Sequence, residues 1–126
     1  MRKMTVFLLS VLLAALFSGC ASTTITNLTA TTVPREPNHL YRVEYQWTSN
    51  QQTVINESIK PYVVSGADSY PMTRVKFTPD RWEAWVPVAA NRDYIVYHFK
   101  VDSKYRRFGS EGEASQVSPE YKMQIK

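Results

Sequence analysis

Apolar and polar residues alternate along much of this chain. The clearest signal is Leu40 to Thr48, where Tyr41, Val43, Tyr45 and Trp47 alternate with Arg42, Glu44 and Gln46. A period of two places successive side chains on opposite faces of a half-buried strand. Asp93 to Asp102 is the second strong strand, with Tyr94, Val96, His98 and Lys100 opposite Ile95, Tyr97, Phe99 and Val101. In Arg81 to Val88, Trp82, Ala84, Val86 and Val88 point one way, and Arg81, Glu83 and Trp85 the other. Tyr121, Met123 and Ile125 alternate with Lys122, Gln124 and Lys126 in a last strand.

Three further segments are extended but less regular. Ala21 to Thr32 is Thr-rich and uncharged, a flexible tether or a first strand; we read a strand from Thr24 to Val33, ended by Pro34 and Pro37. Ser58 to Ser65 puts Ile59, Pro61 and Val63 on one face, and Pro61, which cannot donate to a ladder, implies an edge or a bulge. Tyr70 to Phe77 offers Met72, Val75 and Phe77 for burial. Ser103 to Pro119 is polar, has no usable period and reads as a long loop. Seven short strands with turn signals between them, and no helical period after the first twenty residues, predict an all-β antiparallel sandwich.

The first twenty residues follow a different rule. Arg2 and Lys3 form a basic head, Met4 to Phe17 is apolar apart from Thr5 and Ser10, and Ser18 and Gly19 are small. That order is the layout of a cleaved secretory signal helix. The apolar run of 14 residues is shorter than the roughly 20 that span a bilayer as a helix. The next charge is Arg35, so no basic stop-transfer cluster follows. The competing readings are an uncleaved anchor and an ordinary secreted protein.

Phe17-Ser18-Gly19-Cys20 resembles the lipobox of bacterial lipoproteins, with Phe17 where that pattern has Leu. The resemblance implies cleavage after Gly19. It also implies a diacylglyceryl group on the Cys20 thiol and a fatty acyl chain, such as palmitate, on its new amino group. Two or more acyl chains hold a protein stably on a membrane, whereas one does so only marginally. Ala21 is not the Asp that retains such proteins in the inner membrane, which implies the outer membrane if the envelope is Gram-negative. The chain then divides into a signal peptide, 1–19, a lipidated tether, 20–23, and one sandwich domain, 24–126.

Composition changes this picture little. Cys20 is the only cysteine, so no internal disulfide forms even in an oxidising compartment. Arg2 and Lys3 supply two of the 15 basic residues, leaving 13 against 11 acidic ones and a balance of +2 for the mature chain. A charge that small points to no nucleic-acid partner.

Two stretches are similar to immunoglobulin-like or fibronectin type III domains: Leu40 to Trp47, and Val88 to Val101. In the second, Val88, Tyr94, Val96 and His98 occupy the positions of the alternating apolar residues and of the tyrosine that opens the sixth strand. The resemblance implies seven strands, with Tyr94 as a tyrosine corner whose hydroxyl returns to the backbone upstream. A missing Pro, the polar His98 and a long last loop depart from the pattern. A fold-level likeness carries no function.

Residues for catalysis are sparse. His39 and His98 are too few for a usual zinc site, four glycines form no phosphate loop, and lipidation accounts for the only thiol. Glu57 and Glu83 pair no better than any two surface acids. No enzyme activity, cofactor or metal is expected. Three features suit binding. Trp85, opposite Trp82, is either an exposed sugar-stacking aromatic or covered by a neighbouring loop. Lys104, Tyr105, Arg106, Arg107 and Phe108 interleave cations with aromatics, fit for anionic lipid or polysaccharide, or form a plain solvated strand end. The segment 108–118, with Gly109 and Gly112, is a binding loop or a disordered one. The expected role is a membrane-anchored envelope protein with a non-catalytic module for a protein or glycan. The alternatives are a carbohydrate-binding module and a small envelope enzyme.

Overall fold

A computed structural model describes residues 23–50 and 52–126. The described chain is all-β, in two sheets that share one core. The first sheet has the order β1 (Thr23–Asn27), β3 (Leu40–Ser49), β7 (Arg81–Pro87), β6 (Thr73–Arg74). The second runs β2 (Thr32–Val33), β10 (Tyr121–Ile125), β8 (Tyr94–Arg107), β4 (Lys60–Ser65), β5 (Asp68–Pro71), and β9 (Ser110–Val117) also pairs with β8. Pairings are antiparallel except that of β2 with β10, which is parallel.

The alternating strands fold as their patterns require. Tyr41, Val43, Tyr45 and Trp47 on β3 face inward, as do Trp82, Ala84 and Val86 on β7, with Val88 just beyond it. From the second sheet come Val63, Ile95, Tyr97, Phe99, Val101, Met123 and Ile125. The two layers meet where Tyr45 stacks on Phe99 at 4.7 Å between centroids, and Tyr97 and Tyr121 pack around the Phe99 ring. Aromatic pairs in this geometry contribute about 0.5–1.5 kcal/mol beyond their buried area.

In the course of its strands and loops the structure differs from the sequence reading in five places. There are ten strands among the described residues rather than seven. The expected first strand, Thr24 to Val33, breaks into β1 on one sheet and β2 on the other. Leu28 and Thr29 make the crossing, where Thr29 Oγ1 donates to the Glu44 carbonyl and accepts from the Glu44 amide. Pro61 lies not on an edge strand but on β4, between β8 and β5. It fits because Met72 N donates to the Pro61 carbonyl, just past the end of β5. Nitrogen and carbonyl of one strand residue point the same way, so the missing N–H faces the side where the ladder has stopped.

The fourth difference concerns Tyr70 to Phe77, which splits into β5 and β6. Met72 is buried, but Phe77 is fully exposed at a positive φ of 62° in the turn before β7. The fifth is the largest. Ser103 to Pro119 is not a loop: β8 continues to Arg107, and β9 returns along it in register from Arg107↔Ser110 to Lys100↔Val117. The register then slips by one residue, to Tyr97↔Tyr121 in β10. That single extra residue is a β-bulge. Ser118 is buried there; its Oγ accepts from Phe99 N at 2.8 Å and donates to the Pro119 carbonyl at 2.9 Å.

Registers also fix the two ends of the molecule. Thr23↔Ser49, Gln46↔Arg81 and Arg107↔Ser110 put the start of β1, the connections 52–59 and 75–80 and the β8–β9 turn at one end. The C-terminal Lys126, the 34–39 segment and the 88–93 turn lie at the other, where Arg35 N donates to the Lys126 carbonyl and Ile125 N to that of Asp93. Arg35 clamps this second end through Asp93 at 2.6 Å and the carbonyls of Ala90 and Arg92.

Candidate binding surfaces

The β8–β9 hairpin forms an arm that runs past the body of the sheets. Its inner face is built by Tyr105 opposite Gly112. A Cβ at residue 112 would collide with the Tyr105 ring and the Arg107 guanidinium, so only glycine lets the phenol ring lie across the arm. Aromatic side chains cover backbone that a cross-strand glycine would leave bare. Arg107 sits over the Tyr105 ring at 5.3 Å. On the opposite edge of β8, Ile55 N donates to the Lys104 carbonyl, Arg106 N donates to the Thr53 carbonyl, and Val54 bridges Tyr105. Ser58 Oγ accepts from Lys104 N at 2.8 Å. At Tyr105, β8 is therefore hydrogen-bonded on both of its edges, to β9 and to residues 53–55.

On its outer face, register sets Lys104 opposite Glu113 and Arg106 opposite Glu111. Cross-strand pairs of opposite charge support an antiparallel ladder by a few tenths of a kcal/mol, to about 1 kcal/mol at most. Nearer the body, Lys60, Tyr62, Lys100, Asp102, Lys104 and Glu113 border an open polar depression of about 520 Å3. At the tip, Phe108 is fully exposed, and Gly109 at φ 77° closes the two-residue turn. Arg106, Arg107 and Phe108 thus share one projecting apex, and Tyr105 is the half-buried residue that stiffens it.

Trp85 is set apart from that apex, on the outer face of β7, and is 56 % exposed. It pairs in register with Arg42, which bonds Glu83 Oε2 at 2.6 Å and Glu44 Oε2 at 3.2 Å. Leu28, Val33, Pro34, Leu40 and Tyr41 join Trp85 around a depression of about 380 Å3. The side chain is thus open on its ring face and bordered by an ion-pair strip.

Tyr94 is not inward and does not turn its hydroxyl to the backbone. It is 42 % exposed, its hydroxyl has no hydrogen-bond partner among the described residues, and its ring carries Lys122 Nζ at 4.4 Å and Arg92 at 6.0 Å. The inward set of β8 is Ile95, Tyr97, Phe99 and Val101, one residue off the alignment that the family likeness implied. Burial favours that face because all four of its residues are apolar or aromatic, whereas the other carries His98 and Lys100. An arrangement of the expected kind occurs at Tyr41, whose hydroxyl accepts from the Glu36 amide at 3.1 Å, five residues upstream. Tyr97, the deeply buried tyrosine of β8, takes its hydrogen bond from Asn27 Nδ2 at 3.0 Å.

Glu83 is held by Arg42 on the first sheet, and Glu57 lies in the 3-10 turn Asn56–Ser58 that leads into β4 on the second. His39 is exposed at a positive φ of 58°, and His98 faces outward on β8 opposite Val64. Among the described residues no cluster of three His, Cys, Asp or Glu side chains is placed to hold a metal. No described helix is long and apolar enough to cross a membrane. Gly19 and Cys20 lie outside the described residues. Comparison with protein-family models, curated proteins and solved structures finds no match.

Proposed function

We propose that this chain is a lipid-anchored envelope protein, held by Cys20 and displaying one immunoglobulin-like or fibronectin type III-like domain that binds or braces a partner without catalysing a reaction. The anchor rests on Arg2 to Cys20: basic head, apolar run, then Ser18-Gly19-Cys20. The domain assignment is supported by strand order. β1, β3, β7 and β6 take the places of the A, B, E and D strands of an immunoglobulin-like sandwich. β4, β8 and the bulged pair β9–β10 take those of C, F and G, with β5 as an added strand. A non-catalytic role fits Glu83 being held in an ion pair and His39 and His98 lying apart on the surface.

Labelling growing cells with a radioactive or clickable palmitate tests the anchor. Wild type should take up label and Cys20→Ser should not; label persisting on the mutant removes the proposal.

Trp85 favours a second reading, a carbohydrate-binding module. An exposed indole beside the carboxylates of Glu44 and Glu83 can stack on a sugar ring while its neighbours hydrogen-bond the hydroxyls. Glycan-array binding that disappears in Trp85→Ala would support it. Equal binding by both proteins, or none by either, would remove it.

A further inference from the structure

The arm is longer than the tether that would hold the molecule to a membrane. Gln116 Nε2 donates to the Thr23 carbonyl at 3.4 Å, and its Oε1 accepts from Trp47 Nε1 at 3.3 Å. Gln116 therefore marks, on the arm, the level at which the described chain begins. From there β9 reaches back six residues to Ser110 before the turn at Phe108, about 20 Å at the rise of an antiparallel strand. Cys20 precedes Thr23 by three residues, a span of at most about 11 Å when fully extended. An arm leaning 45° from the line of the tether still projects about 14 Å by the same rise, more than the tether spans.

A chain acylated at Cys20 thus brings the arm tip to the lipid surface unless the arm leans more than about 57° from the line of the tether. The tip is suited to that contact. Phe108 is fully exposed, and Arg106 and Arg107 immediately precede it in sequence. Phe77, the other fully exposed phenylalanine, lies in a turn at the same end, next to Lys76. Aromatic rings sit well at the headgroup level. Guanidinium groups pair bidentately with phosphate oxygens while their stems run along apolar surface. Glu111 and Glu113 offset two of the arm's cations, so the arginines act on phosphates locally and not through a large net charge.

We propose that the tip of the β8–β9 arm, Arg106 to Phe108, seats in the phospholipid headgroup layer of the membrane that holds Cys20, so that the domain is fixed in orientation and not free on a leash. This rests on the lipid anchor proposed above. The test uses the full chain, expressed in a bacterium, extracted with its acyl chains and reconstituted in phosphatidylethanolamine–phosphatidylglycerol vesicles. Acylation occupies the Cys20 thiol, so a cysteine introduced by Phe108→Cys takes an environment-sensitive fluorophore alone, and Asn91→Cys supplies the same probe at the opposite end. The probe at 108 should shift to the blue and be quenched by spin-labelled lipid, while the probe at 91 should respond only to aqueous iodide. Arg106→Ser with Arg107→Ser should reduce lipid quenching at 108 at least twofold.

An acylated protein whose 108 probe behaves like its 91 probe overturns the seating and leaves the anchor standing. Protein that carries no acyl chain on Cys20 overturns both. Undiminished quenching in the double arginine variant overturns the part assigned to the guanidinium groups.

Discussion

The Tyr45 hydroxyl is the clearest place where the core works against itself. Tyr45 is fully buried on β3, its ring stacks on Phe99 at 4.7 Å with 21° between planes, and its hydroxyl has no hydrogen-bond partner among the described residues. Desolvation pushes the phenol pKa well above its ordinary value. An unpaired hydroxyl in such a site costs about 1–3 kcal/mol. Tyr45→Phe keeps the stacked ring and removes only that oxygen, whose lost packing contacts are worth about 0.1–0.2 kcal/mol each. The variant should therefore be more stable by about 1 kcal/mol, or about 4–8 °C in Tm for a domain near 100 residues.

A second signature comes from pH. The folded state holds the Tyr45 phenol protonated beyond the point where the unfolded chain releases it, near 10. This contribution is complete below pH 10 and is lost as the pH rises above it, when the unfolded state binds fewer protons. At pH 11 wild type should lose about 1.4 kcal/mol that the phenylalanine variant keeps. Urea unfolding in a Cys20→Ser background, followed by tryptophan emission at pH 7 and at pH 11, measures both effects. A variant destabilised by 1 kcal/mol or more at pH 7, or a gap that does not widen at pH 11, would show that the hydroxyl is satisfied in the fold and refute the reasoning.

Two other substitutions probe the bulge and the arm. Ser118→Ala removes the acceptor of the Phe99 amide at the β9–β10 bulge and should cost about 1–3 kcal/mol in urea unfolding, whereas a loss within about 0.5 kcal/mol would mean that the bulge closes without it. Gly112→Ala places a Cβ against Tyr105 and Arg107 and should displace the phenol ring. The expected result is faster amide hydrogen exchange at Tyr105 and Ala114, which face across the β8–β9 ladder, with little change at Phe99, and unchanged exchange on the arm would show that the ring does not depend on the glycine.

The body of the fold was legible because each central strand carries its burial in its own alternation. β3 reads inward at Tyr41, Val43, Tyr45 and Trp47, and no other register buries four such residues at once. β8 offered two faces, and the likeness to a known family pointed to Tyr94 and Val96. The more apolar face, Ile95 to Val101, is the one the core took, so packing outweighed the motif. β9 was hidden for a different reason. Its inward positions are Gly112, Ala114 and Gln116, which bury little hydrocarbon, and Gln116 serves hydrogen bonds to Trp47 and Thr23 instead. The bulge at Ser118 then flips the parity, so that Met123 and Ile125 continue inward on odd numbers. A strand held by an aromatic over glycine and by backbone pairing leaves no hydrophobic period to read.

Of the surfaces, Trp85 was legible from parity with Trp82, since three residues along one strand reverse the face. The projection of Arg106, Arg107 and Phe108 was not, because it follows from the pairing of β8 with β9. Phe77 shows the same limit. It reads as a core residue, but the turn between β6 and β7 needs a positive φ there and turns the ring outward.

The lipid anchor is the claim on which localisation, tether length and the orientation of the arm all depend. Intact-mass spectrometry of the chain extracted from bacterial membranes tests it most directly. The expected species begins at Cys20 and carries a diacylglyceryl group with an added amide-linked acyl chain, absent from Cys20→Ser. A mature chain that begins elsewhere, or one that begins at Cys20 with no added lipid mass, would contradict it.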